Sequence, residues 1–211
     1  MISAFKEKYR YSKYHINKVD GLRYYSISEN LNVPSVTSIL KKTSSDKWYE
    51  SLHVSDSIEI GNYMHTYLNH YISKNNDFVI ESKNYSIAKK LAQIVIDNLI
   101  VELDEVWGSE ATVLYKEQYA GTIDLIGVID GKVTLIDYKS SYRRKNENEI
   151  NEYFLQLAAY ALAHDWQYHT KIESIIVFLA IRNGDFEKII INDELYKYKE
   201  KWLSRLEEFL G

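Results

Sequence analysis

The sequence predicts an α/β protein with one mixed β-sheet (α+β in its strand connections) flanked by helices, plus an N-terminal hairpin and helical region. Three observations carry this prediction. Asp-Gly or Asn-Gly pairs at 20–21, 130–131 and 183–184 each separate two strand-like runs, and such pairs accept the positive φ angles of tight hairpin turns. The runs around 123–128, 133–138 and 175–181 are apolar on both faces, as in a sheet covered on both sides. Apolar residues at helical spacing fill most of the remainder.

Taken in order, Asp20-Gly21 joins strands at 14–19 and 22–27. Pro34 followed by Ser35 reads as a helix entry, because proline suits a first turn and a hydroxyl can cap it. A second helix is expected at 57–73. A third, at 85–103, carries Ile87, Leu91, Ile94, Val95 and Leu99 on one stripe. Residues 74–83 are the most loop-like interior stretch. A strand at 110–117 leads to strands at 121–129 and 132–139, joined by Asp130-Gly131. A helix at 150–166 follows, then strands at 175–181 and 186–191. The closing helix has Asn192 or Asp193 as its expected cap and sets Leu195, Tyr198, Trp202, Leu206 and Phe209 on one face. The whole chain is expected to form one domain, with residues 1–105 as the hairpin and helical region and 106–211 as the core.

Composition narrows the chemistry. The 211 residues are 45% hydrophobic and 27% charged, as in ordinary globular proteins. No apolar run approaches the roughly 20 residues of a membrane span, and the first ten residues do not read as a secretory signal. No membrane partner and a cytoplasmic location are therefore expected. Asn-, Ile-, Lys- and Tyr-rich usage suggests an AT-rich genome, bacterial or that of a virus within its host cell. There are no cysteines, which removes disulfides, thiol catalysis and any iron–sulfur cluster. A metal must then be held by carboxylates and histidine, a donor set that suits Mg²⁺ or Mn²⁺. The net charge of −4 argues weakly against nucleic acid. Basic groups nevertheless cluster at Lys41-Lys42, Lys89-Lys90 and Arg143-Arg144-Lys145, each of which alone reads as a solvated surface.

The chemistry centres on the hairpin at 130–131. If its loop is two residues, Ile129 pairs with Lys132, and counting outward sets Asp124 opposite Asp137. Directly opposed residues share a face with Cβ atoms about 4.5–5.5 Å apart. Lys139, two residues on, shares that face. Two opposed anions repel, and a divalent cation between them resolves the conflict. The plainer alternative is a Lys139 salt bridge to one aspartate with the other solvated, but the flanks Ile123, Leu125, Ile136 and Tyr138 are too apolar for casual surface positions. Two carboxylates, a metal and a lysine suit phosphodiester hydrolysis. The metal polarises the phosphate and activates water, and the lysine orients that water or stabilises charge on the phosphoryl oxygens.

The segments Gly121-Thr122-Ile123-Asp124, Asp137-Tyr138-Lys139 and Gln156-Leu157-Ala158-Ala159-Tyr160 together resemble the GxxD, DxK and QxxxY blocks of the RecB-like branch of the PD-(D/E)xK nucleases. Gly61-Asn62-Tyr63-Met64-His65 matches that branch's GxxxH element. Segments 34–40 and 201–209 are similar to the mitochondrial genome maintenance exonucleases and their phage relatives. The resemblance spans about residue 34 to the C-terminus. It implies a restriction-endonuclease-like core and degradation of DNA, preferably single-stranded, from a free end. It assigns Asp124, Asp137, His65 and the Tyr138 carbonyl to the metal, Lys139 to catalysis, and Gln156 and Tyr160 to the support of the site. Replication or recombination proteins would be further partners.

Next to such a centre, Ser140, Ser141, Arg143, Arg144 and Lys145 become candidate phosphate contacts, as do Lys41 and Lys42. Glu110 is either an outer carboxylate or a solvated strand end. Aromatic residues near Trp48, Tyr49, Tyr63 and Tyr67 could stack on bases, but with 19 tyrosines most must be core or surface and none is singled out as a base platform. Two other readings stay open: a structure-specific endonuclease on the same core, and a catalytically silent DNA-binding module.

Overall fold

The turn residues fold as their types demand. Asp20 and Gly21 adopt φ of 49° and 73°, and Asp130 and Gly131 adopt 50° and 73°. Positive φ at both central positions is the turn that matches strand twist. It closes the hairpins at Val19↔Leu22 and Ile129↔Lys132. The structure, a computed structural model, describes residues 7–44, 55–74 and 82–211. Trp48, Tyr49 and most of the 74–83 stretch lie outside the described residues.

A small antiparallel sheet comprises β1 (His15–Val19), β2 (Leu22–Ser28) and β3 (Leu31–Pro34). Helices α1 (Val36–Thr43), α2 (Ser55–Ser73) and α3 (Lys83–Asn98) follow. The main sheet runs β4 (Glu105–Tyr115), β5 (Tyr119–Ile129), β6 (Lys132–Ser141), β7 (Ser174–Ile181) and β8 (Phe186–Ile191) in spatial order. Helix α4 (Glu147–Tyr168) carries the chain from β6 to its parallel neighbour β7, and the other pairings are antiparallel. Helix α5 (Leu195–Leu210) closes the chain. This is the mixed, helix-flanked sheet that the sequence predicts.

Two hydrophobic cores explain why the central strands are apolar on both faces. Leu157, Ala161 and Trp202 of α4 and α5 pack with Ile39 of α1 on one side. Met64, Leu68, Leu91 and Val95 of α2 and α3 pack with Leu125, Ile136 and Phe178 on the other. The small sheet docks through Tyr25 and Val33, which pack with Ala120. The Tyr25 hydroxyl lies 3.0 Å from Thr122 Oγ1.

Several boundaries differ from the sequence reading. β3 was not expected, and β4 starts five residues earlier than residue 110. α3 stops at Asn98, before a 3-10 turn at Ile100–Glu102. α4 starts at Glu147 because Asn146 caps it. The Asn146 side chain accepts from Glu149 N, and the Glu149 carboxylate accepts from Asn146 N. α5 begins at Leu195 without a side-chain cap, so neither Asn192 nor Asp193 serves as one.

Glu149 also holds Arg143 and Lys145, at 2.9 and 2.8 Å. Burial raises its pKa, but the hydrogen bonds from Arg143, Lys145 and Asn146 win and take it down to about 2. A depressed carboxylate contributes stability above its unfolded pKa of about 4.3, lost as pH falls through the folded value. Glu149→Gln should therefore destabilise the protein at neutral pH by roughly 1–3 kcal/mol. The gap from the native protein should close between about pH 4 and pH 2 in urea melts. A gap independent of pH would remove the ion-pair explanation.

Candidate active site

The β5–β6 ladder keeps the two-residue-loop register from Ile129↔Lys132 to Leu125↔Ile136 and stops there. The next step outward is Asp124 and Asp137. Beyond it the strands part: β6 continues along β7 to Ser141↔Ile181, and β5 continues along β4. At the parting, Asp124 Oδ2 accepts the Tyr138 backbone N–H at 3.0 Å.

The opposite edge of β5 is also irregular at this point. Glu110, between the pairs Ser109↔Leu125 and Ala111↔Ile123, has a left-handed φ of 51°. Leu125 packs into the α2–α3 core, whereas Ile123, two residues away, packs into the α4 core. A regular strand keeps such residues on one face. The left-handed conformation costs about 1–2 kcal/mol outside glycine. Here it accompanies a local reversal of faces that leaves the Glu110 and Asp124 carboxylates at a cleft.

That cleft has a volume of about 650 Å³. Its floor includes Asp124, Glu110, Lys139, Gln156 and Tyr160; its walls include His65 of α2 and Arg23 of β2. His65 Nδ1 lies 3.3 Å from Asp124 Oδ1 and 3.8 Å from Glu110 Oε1. One donor atom from each of the three lies within 4.8 Å of the others. Burial acts against a charged His65, but the Asp124 charge and the acceptor oxygens of Asp124 and Glu110 outweigh it and raise its pKa to about 10. A cluster that forces a proton onto an imidazole is a cluster that wants a cation.

Asp137 and Lys139 form the adjoining part. Lys139 Nζ is 2.8 Å from each Asp137 oxygen. Burial disfavours the ammonium, yet Asp137 and then Asp124 hold the Lys139 pKa well above its ordinary range. Burial raises the Asp137 pKa to about 6; Lys139 pulls it back and the Asp124 charge pushes it up. Burial also works against the Asp124 anion, but the His65 and Lys139 charges keep its pKa low. Gln156 Nε2 donates to Asp137 Oδ1 at 3.3 Å and to the Tyr160 hydroxyl at 3.0 Å. Asp137 Oδ2 is buried and, beyond its ionic contact with Lys139, accepts no hydrogen bond among the described residues.

These residues fit a divalent cation. Two carboxylates and an imidazole converge, and a buried carboxylate oxygen beside them has unused acceptor capacity. Oxygen and nitrogen donors of this kind suit Mg²⁺ or Mn²⁺. The Tyr138 side chain turns away into the α2–α3 core.

Glycine at 121 has a steric reason. A Cβ there would lie 2.2 Å from Cε1 of Tyr160, whereas one at Gly61 would meet only Ser140 Oγ, at 3.5 Å. Gly121→Ala should cost about 1–3 kcal/mol through displacement of the Tyr160 ring. Gly61→Ala, in mid-helix, should be neutral or stabilising. Thermal melts of the two variants check this, and equal stabilities would show that Tyr160 moves freely.

The basic candidates are placed less favourably. Arg143 and Lys145 are committed to Glu149, and Arg144 to Asp185 and Glu187. The Ser141 hydroxyl donates to Arg143 O and is used up by that turn. Ser140 remains half-buried near Gly61. Lys41 and Lys42 sit in the last turn of α1, whereas its N-cap Ser35 and first-turn Thr37 line the cleft. Among the described residues, the cation that the N-terminal region brings to the cleft is Arg23, which sequence reasoning did not select. Glu110 is the other underrated residue. Seeing it opposite Asp124 requires the β4–β5 turn, where Lys116 and Glu117 take positive φ without a glycine to signal it.

The family model described as the PD-(D/E)XK nuclease superfamily matches residues 106–210. The chain is 30% identical over 120 residues to mitochondrial genome maintenance exonuclease 1 of Mus musculus, covering 54% of this chain and 36% of that protein. It is 24% identical over 203 residues to the Homo sapiens protein of the same name, covering 84% and 58%. The chain thus spans between about a third and three fifths of these relatives' length. The crystal structure of a candidate exonuclease from Eubacterium rectale shares the fold, with a TM-score of 0.51 at 13% identity, over 75% of this chain and 66% of that one. The matched segment holds Glu110, Asp124, Asp137, Lys139, Gln156 and Tyr160 on the sheet and helix that form the cleft floor, and the chain belongs to the PD-(D/E)XK nuclease superfamily.

Proposed function

We propose that the protein is a metal-dependent deoxyribonuclease that hydrolyses phosphodiester bonds from free ends of single-stranded DNA. The observation that carries this reading is the convergence of Asp124, Glu110 and His65 beside the buried Asp137–Lys139 pair in one cleft. The names of the curated relatives support an exonuclease acting on a genome. The cleft volume is that of a small-ligand pocket, which suits a few nucleotides of one strand better than a duplex.

In this reading Asp124, Glu110 and His65 hold Mg²⁺ or Mn²⁺, with Asp137 as the further carboxylate and the Tyr138 carbonyl beside it. When bound, the metal supplies Lewis-acid stabilisation of the phosphate and a lowered pKa for water. Lys139 is ion-paired with Asp137, and the Asp137 and Asp124 charges favour its ammonium form. It donates to the attacking water or to a phosphoryl oxygen as negative charge grows there. Gln156 holds Asp137 and Tyr160 holds Gln156, so the lysine and its counter-ion keep their orientation. Arg23, across the cleft, takes a neighbouring phosphate.

The test incubates the protein with end-labelled linear single strands, linear duplex, closed circular single strands and RNA, in Mg²⁺, Mn²⁺ or EDTA. Shortening of linear single-stranded DNA in either metal, and none in EDTA, is expected. Cleavage of closed circles would replace the exonuclease reading with an endonuclease. Binding without cleavage of any substrate would favour a silent DNA-binding module.

A further inference from the structure

A second cavity, of about 380 Å³, adjoins Lys139. Lys139 and Ser57 line both cavities and so form the ridge between them. This cavity sits where the parallel strands β6 and β7 end: Arg182 N donates to Ser141 O at 2.9 Å, just past the last ladder pair. Ligands of open α/β sheets gather at such carboxyl ends.

Its charges are not equivalent. Lys139 is held by Asp137, and Arg143 and Lys145 are held by Glu149. Arg182 pairs with no carboxylate among the described residues, and its Nε is buried without a hydrogen-bond partner. Its guanidinium instead lies 4.1 Å from the ring centre of Tyr142. Tyr142 is 60% exposed, so the ring is covered by arginine on one side and open to solvent elsewhere. An open tyrosine backed by an uncompensated cation is the arrangement that binds single-stranded nucleic acid: the ring stacks on a base and the cation serves the phosphate.

We propose that this second cavity is a nucleotide subsite, in which the base next to the scissile phosphate stacks on Tyr142 and Arg182 carries the adjoining phosphate charge. A strand crossing the Lys139 ridge then places nucleotides on both sides of the bond that is cut. The proposal rests on the nuclease reading and adds to it the residues that grip the strand beyond the lysine.

The experiment measures steady-state cleavage of a single-stranded dT12 oligonucleotide in Mn²⁺. Tyr142→Ala should raise KM about 5- to 150-fold, the usual range for loss of one base–aromatic stack, with kcat within about twofold. Tyr142→Trp should stay close to the native enzyme. Arg182→Gln should raise KM at least about fivefold and reduce the salt dependence of kcat/KM by roughly 0.7 in log–log slope, as for one lost phosphate contact on a single strand. Arg182→Lys should recover most of that loss. Arg144→Gln, whose cation is already paired with Asp185 and Glu187, should leave KM unchanged. Thermal melts of all variants separate misfolding from lost binding, and the Trp and Lys variants test the idea if Tyr142→Ala or Arg182→Gln fails to fold. If the native enzyme cleaves and Tyr142 and Arg182 variants keep its KM, the subsite is wrong and the nuclease reading stands. If the native enzyme cleaves no nucleic acid, both fall.

Discussion

Lys139→Ala is expected to lower the rate of DNA cleavage by about 100- to 1,000-fold, the usual loss when one preorganised donor to a developing oxyanion is removed. The reasoning starts from charge. Lys139 is surrounded by Asp137, Asp124 and the face of Tyr153, with its Nζ 5.1 Å from that ring centre. These neighbours favour the ammonium, and in this account its contribution is that of a cation held in place. DNA binding should fall less than about threefold, because Arg23 and Arg182 line the two cavities independently of it. The variant also strands a buried Asp137 carboxylate. A fixed buried charge without its partner costs about 3–5 kcal/mol. Asp137, whose pKa burial already raises to about 6, can take up a proton, so the loss should be smaller and should shrink at acid pH. Single-turnover cleavage with a labelled oligonucleotide, alongside a melt at two pH values, checks both statements. Cleavage within tenfold of the native enzyme would remove Lys139 from the mechanism.

Asp124→Asn should weaken Mn²⁺ binding by more than about 100-fold and abolish cleavage with it. Outer-shell partners of a metal are worth about 10- to 100-fold in affinity, and a direct ligand should exceed that. The substitution is nearly isosteric. The amide oxygen can still accept the Tyr138 N–H that Asp124 Oδ2 accepts at 3.0 Å, so the parting of β5 and β6 should survive. The charge is what is lost. Without it His65 loses the main attraction that raises its pKa, and the metal loses an anionic ligand. Titration calorimetry with Mn²⁺ measures the affinity, and metal-induced stabilisation in thermal melts gives an independent reading. Undiminished Mn²⁺ affinity would place the metal elsewhere.

Much of this site can be read from sequence because it is local. The Asp130-Gly131 turn fixes the register as far as Leu125↔Ile136, and the expected pair Asp124–Asp137 falls one step beyond it, where the strands part with the two carboxylates still close enough to interact and Lys139 two residues on. Gln156 and Tyr160 are one helical turn apart, so their hydrogen bond follows from spacing alone. What sequence hides is either non-local or conformationally unsignalled. Asp185 and Glu187 neutralise Arg144 from more than 40 residues away, so a basic run that looks free is not. Arg23 reaches the cleft only because the small sheet docks on Ala120 and Thr122, a packing that no periodicity reveals. Glu110 depends on a left-handed residue inside a strand and on a turn through Lys116 and Glu117, and neither carries the glycine that would announce it. The α4 boundary was in principle legible, since Asn146 and Glu149 have capping-box spacing three residues apart.

The central claim is that His65, Glu110 and Asp124 hold a divalent metal beside the Asp137–Lys139 pair. Diffraction from crystals soaked in Mn²⁺, with data collected for the anomalous signal of manganese, tests it most directly. The expected result is a peak within ligand distance, about 2.0–2.4 Å, of His65 Nδ1 and an Asp124 oxygen. No peak in this cleft at saturating Mn²⁺, with His65 still paired to Asp124, would contradict it.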